Sequence, residues 1–76
     1  MRVSDSNRSR WANSIKEQYQ VGTRVVLDYT DSDTQPPIGT EGVVVDVNSH
    51  GTVFVSWDNY GTTAILFELG DSIRKV

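Results

Sequence analysis

The chain has 76 residues, a formal net charge of −3, no cysteine and a single histidine, His50. That length allows one domain, and the composition excludes a disulfide framework and a zinc site of the usual Cys/His kind. The polar start from Met1 to Asn7 has no apolar run behind it, so no signal peptide or membrane span is readable and a cytoplasmic protein is expected.

Residues 1–8 read as a flexible tail, and 9–76 as one domain that includes a helix over 9–20. Within the helix, Trp11, Ala12, Ile15 and Tyr19 form one narrow apolar stripe. Ser6 or Ser9 can cap its first turn, and Gly22 can end it in a left-handed conformation. A helix of about a dozen residues is marginal alone, so the stripe should dock on the rest of the domain.

After Gly22 the pattern changes to period two. Arg24 to Tyr29 is a first strand, with Val25, Leu27 and Tyr29 on one face and Val26 on the other. Thr30 to Thr40 is rich in turn formers and carries Pro36-Pro37, which reads as a stiffened loop. Gly42 to Val47 is a second strand, and Asn48-Ser49-His50-Gly51 a tight connection. Val53 to Trp57 is a third strand with Val53, Val55 and Trp57 inward, followed by a turn at Asp58-Asn59-Tyr60-Gly61. Thr63 to Phe67 reads as a fourth strand and Ser72 to Val76 as a short fifth. The fold class expected is mainly β: a small five-stranded SH3-like barrel with a short N-terminal α-helix.

The runs GTRVVL (Gly22 to Leu27), PPIGTEGVVVDV (Pro36 to Val47) and GTVFVSWDN (Gly51 to Asn59), closed by Gly70-Asp71-Ser72, resemble a family of small uncharacterised domains. That family occurs in phages and mobile elements of Gram-positive bacteria. The resemblance covers most of the chain and implies an SH3-like fold and a mobile-element origin. This sequence departs from the family pattern in Tyr60 before the turn glycine and in an unusually acidic barrel. The family carries no established activity, so no functional residue is transferred from it.

Charge divides sharply by region. Arg2, Arg8, Arg10, Lys16 and Arg24 face only two acids up to Arg24, whereas Val25 to Ile73 holds eight acids and no lysine or arginine. An acidic barrel repels phosphates and suits a basic partner. No catalytic constellation is readable: His50 sits in a hairpin tip, and the serines have no motif around them. Asp31, Asp33 and Gln35 imitate the start of a calcium loop, but Pro36 and Gly42 stand where a glycine and a bidentate glutamate belong. This leaves only weak divalent binding through Asp28, Asp31 and Asp33, and no cofactor is expected.

Val26, Val45 (if no bulge shifts its strand), Phe54, Ile65 and Phe67 fall out of phase with the inward residues of their strands, which gives an apolar outer face that the helix and the long loop either cover completely or leave partly open as a contact surface. The expectation is a non-enzymatic module that binds a protein partner with a basic surface. Phe54, Ile65, Val26 and Tyr60 would supply apolar contact, and Asp31, Asp33 and Glu41 would steer. A host-directed inhibitor of a defence nuclease is its specific form. The alternatives are nucleic-acid binding through Arg8, Arg10, Lys16 and Arg24, and a structural homodimer packed through the outer face.

Overall fold

The computed structural model describes the backbone of residues 3–76 and the side chains from Arg10 onward. Helix α1 (Val3–Gln18) precedes five strands: β1 (Arg24–Tyr29), β2 (Glu41–Val47), β3 (Val53–Trp57), β4 (Gly61–Ile65) and β5 (Ser72–Lys75). A 3-10 turn at Phe67–Leu69 links β4 to β5. All pairings are antiparallel, in the order β4-β3-β2-β1-β5, so the single sheet follows the chain except that β5 returns to lie beside β1. The mainly β domain with a short N-terminal helix expected from the sequence is what the chain adopts, in a form consistent with a small barrel-like fold. The helix bounds differ from the expected 9–20. The side chains of Ser6 and Ser9, the expected caps, lie outside the described residues.

The core is the inward face of the sheet: Val25, Leu27, Val44, Val53, Val55, Trp57, Ile65 and Ile73, joined by Ile15 from α1. The helix closes one end of this core. Ala12 and Ile15 are buried, and Tyr19 packs against the cluster. Trp11 lies over Gly51, where a Cβ would come within 2.6 Å of its Nε1. That glycine, at φ +82, serves both the turn and the close approach of the indole. Gly42 has an equivalent role inside the sheet, because a Cβ there would fall 2.6 Å from the Ser56 carbonyl oxygen and 2.8 Å from the Trp57 ring. Trp57 can approach β2 this closely only because that position is bare.

Two bulges decide which side chains face out. Between Val44 and Asp46 the register with β3 slips by one residue, and Val45 is the extra residue, 43% exposed. Between Leu27 and Tyr29 the register with β5 slips in the same way, which turns Tyr29 outward instead of inward as the period-two reading has it.

The fourth strand is the larger correction. It begins at Gly61 rather than Thr63, and it ends at Ile65 rather than Phe67. The register pairs Ile65 with Val53 and Thr63 with Val55. Directly opposed residues of an antiparallel pair share a face, so Ile65 points inward and is fully buried. Phe67 leaves the sheet for the 3-10 turn and packs on Trp11 and Tyr19. Val26 does look the other way from Val25 and Leu27, yet it is only 9% exposed, its cross-strand neighbours being the long side chains of Glu41 and Arg74. The expected outer patch of Val26, Phe54 and Ile65 therefore does not form as a contact surface. Phe54 alone keeps partial exposure, opposite Asp46 and Ala64.

Candidate binding cleft

The Thr30–Thr40 loop folds back over the open edge of β4. Its C-terminal leg is fixed to β1 by two backbone bonds: Gly39 N–H donates to the Leu27 carbonyl at 2.8 Å, and Leu27 N–H donates to the Thr40 carbonyl at 2.9 Å. Pro36 is fully buried and anchors the middle of the loop. Inside the tip, the Ser32 N–H donates to Thr30 Oγ1 and the Thr34 N–H to Ser32 Oγ, local bonds that hold a chain without ladder partners.

A polar network pins this loop to the sheet. Asp71, 8% exposed, is the buried acid at its centre. Its Oδ1 accepts the Thr30 hydroxyl at 2.7 Å, and its Oδ2 accepts the Leu66 backbone N–H at 3.0 Å and the Gln35 amide at 3.4 Å. The Gln35 amide also donates to the Ala64 carbonyl at 2.8 Å, which occupies an acceptor on the edge of β4. Trp57 Nε1 donates to Thr63 Oγ1 at 2.7 Å, and that hydroxyl donates on to Gln35 Oε1. Thr63, a polar residue on the inward face of β4, is thus the partner for a buried indole N–H.

Between loop, β4 and the 3-10 turn lies a cleft of about 360 Å³, lined by Asp31, Ser32, Thr34, Gln35, Thr63, Ala64, Leu66, Leu69 and Asp71. Tyr29 and Tyr60 stand beside it, 47% and 49% exposed. Each is positioned by its hydroxyl: Tyr29 donates to Asp31 Oδ1, and Tyr60 donates to the Thr34 carbonyl at 3.1 Å. The hydrogen bond to the Asp31 carboxylate, reinforced by its negative charge, raises the Tyr29 phenol above its ordinary range. Among the described residues no lysine or arginine lines the cleft.

Of the residues expected to contact a partner, Asp31, Asp33 and Tyr60 gather at this loop, all exposed. Glu41 does not join them. With Asp58 it clamps Arg24, whose guanidinium lies 3.2 Å from Glu41 and 2.9 Å from Asp58. The hydrogen bond from Arg24 holds the Asp58 carboxyl below its usual range, and the same bond, with that to Glu41, raises the guanidinium.

Arg24 is thereby taken out of the basic set proposed for nucleic acid. Arg10 and Lys16 are exposed on α1 but six residues apart, which on a helix places them roughly 120° around the axis from each other. The side chain of Arg8 lies outside the described residues. Asp28, named with Asp31 and Asp33 for a divalent ion, pairs with Arg74 at 3.2 Å. Among the described residues no three carboxylate or imidazole groups converge as a metal site, and no helix is long and apolar enough to cross a membrane.

The residues that sequence reasoning passed over are Thr63, Leu66, Leu69 and Asp71, while Gln35 stood out only as part of an incomplete calcium loop. The signal for Asp71 was present in the Gly-Asp-Ser turn, but its three partners come from sequence positions 30, 35 and 66 and meet only in the fold.

No curated protein and no solved structure matches the chain. A family model does, over residues 8–76, the span that contains the whole strand system and the cleft. The chain accordingly belongs to the family described as a domain of unknown function, DUF4314.

Proposed function

We propose that the chain is a non-enzymatic binding module that takes a basic segment of a protein partner into the cleft between the Thr30–Thr40 loop and the 3-10 turn. The observation that carries this reading is the lining itself. Asp31 at the mouth and Asp71 below stand beside apolar Leu66 and Leu69, with no cation among the described lining residues. A lysine or arginine on an apolar stem matches such a site in charge and in shape. Tyr29 and Tyr60, held by their hydroxyls, offer flanking contact area at little cost in side-chain entropy.

The polar groups of the cleft are arranged for binding more than for reaction. The Asp71 carboxylate is engaged by Thr30, Gln35 and Leu66, and the Ser32 and Thr34 hydroxyls bond each other at 2.7 Å. A nucleophile is activated by a hydrogen-bonded base, and the Ser32 hydroxyl's bonds run to Thr34, which supports the binding reading. The strand order, with a long first loop, two hairpins and a 3-10 turn before the last strand, supports an SH3-like barrel as the scaffold. In its specific form the module is of phage or mobile-element origin and inhibits a host defence nuclease. Its eight acids between Val25 and Ile73 would compete with DNA for the same lysines and arginines.

The experiment is capture of partners from a Gram-positive host lysate by the native chain, by Asp31→Asn with Asp33→Asn, and by Leu69→Ala. The reading expects one specific partner whose capture is salt-sensitive, falls in the first variant and weakens in the second. Capture that is unchanged by all three substitutions overturns the cleft as the site.

A further inference from the structure

A second cavity, of about 530 Å³, lies on the other side of the 3-10 turn and is lined by Trp11, His50, Phe67 and Glu68. Trp11 and Phe67 meet edge to face, with ring centroids 6.1 Å apart and planes at 87°. Two perpendicular rings leave a concave corner. The Trp11 indole is seated on Gly51 along its Nε1 edge, yet the residue remains 47% exposed. A large ring held firmly on one side and left open on the other is suited to receive a ligand.

The opposite end of the same aromatic row indicates what kind. Tyr19 stacks on Phe67 with centroids 5.9 Å apart, and the Lys75 ammonium lies 5.8 Å from the centre of the Tyr19 ring. A cation over a π face is attracted by the ring quadrupole, most strongly on an indole. At the Trp11 end no lysine or arginine is among the described lining residues, which are completed by His50, and Glu68 supplies a carboxylate beside the rings. Planar rings with an adjacent carboxylate favour a guanidinium over an ammonium, because it can stack and donate two parallel hydrogen bonds at once.

We infer that the corner formed by Trp11 and Phe67, with Glu68, is a receptor for an arginine side chain of a basic protein partner. It shares with the proposed function only the basic character of the partner. Its residues are distinct from those of the cleft, although the 3-10 turn borders both: Leu69 lines one cavity, Phe67 and Glu68 the other.

The test titrates the full chain with millimolar acetyl-Gly-Arg-Gly-amide, and with its lysine and citrulline counterparts, while NMR follows the indole N–H signals of Trp11 and Trp57. The expected result is a saturable shift at Trp11 with the arginine peptide, a weaker response to lysine and none to citrulline. Trp57, buried in the core, should stay still. Glu68→Gln, at an exposed position, should weaken the arginine peptide by about tenfold. Trp11→Phe, which keeps an aromatic wall, should lose less affinity than Trp11→Ala, and Glu68→Gln decides the matter if Trp11→Ala unseats the helix. Absence of a saturable shift, an equal response to citrulline, a preference for lysine, or affinity unchanged in Glu68→Gln would each overturn the inference. Binding that survives Glu68→Gln but is lost in Asp31→Asn would place the arginine in the cleft, overturning this inference and leaving the proposed function standing.

Discussion

Removing the Asp71 carboxylate should cost the domain a large share of its stability, because it ties the Thr30–Thr40 loop to the connection between β4 and β5. In Asp71→Ala the Leu66 N–H, now bonded at 3.0 Å, loses its acceptor in a part-buried place. An orphaned buried donor costs about 1–3 kcal/mol. Thr30 loses a charge-assisted bond of 2.7 Å but can turn to water, and Gln35 keeps the Ala64 carbonyl at 2.8 Å. The sum is roughly 2–4 kcal/mol, against a total of about 4–11 kcal/mol for a domain of this length. At about 4–8 °C per kcal/mol for small domains, the midpoint of thermal unfolding should fall by about 8–30 °C.

Asp71→Asn supplies the control. Its carbonyl oxygen can still accept from Leu66, and its amide can donate to Thr30 Oγ1, which accepts as readily as it donates. About 1 kcal/mol should be lost. Circular dichroism melts with matched urea titrations measure both variants. An alanine variant within 1 kcal/mol of the native chain, or an asparagine variant as damaged as the alanine one, would refute the network as the element that holds loop, β4 and β5 together.

The phasing of the sheet is checked by a pair of truncations: Ile65→Ala should cost about 2–5 kcal/mol as a core cavity, while Val45→Ala, at the exposed bulge, should stay within about 0.5 kcal/mol. Equal effects in urea unfolding would reject the register that opposes Ile65 to Val53. The Arg24–Asp58 pair should add a pH-dependent increment of stability. The Asp58 carboxyl lies lower in the folded chain than in the unfolded one, so the increment is present above the ordinary aspartate range and is lost as pH falls through the folded value. The native chain minus Asp58→Asn, compared by melting temperature at neutral and acid pH, should show a difference that shrinks on acidification. A difference that grows would reverse the sign of the argument.

Much of the fold was written in local chemistry. The change from a helical stripe to period-two alternation at Gly22, the proline pair in the long loop and the turn residues at Asn48–Gly51 and Asp58–Gly61 place the elements close to their observed bounds. The inward set Val25, Leu27, Val53, Val55 and Trp57 follows from alternation alone, and all five are buried. Loop acids and a neighbouring tyrosine were likewise visible as contact candidates, since residues in loops are exposed wherever the sheet goes.

Alternation carries a face only along an unbroken strand. A single bulge reverses it, and the bulge at Val45, the bulge before Tyr29 and the early start of β4 are set by how neighbouring strands close on each other, which no single strand encodes. The composition, the element order and the absence of a Cys/His metal framework are properties of the sequence by itself. The burial of Ile65, the capture of Arg24 by two acids, the cleft around Asp71 and the open corner at Trp11 were decided by tertiary structure, because each depends on side chains that become neighbours only after the sheet has closed.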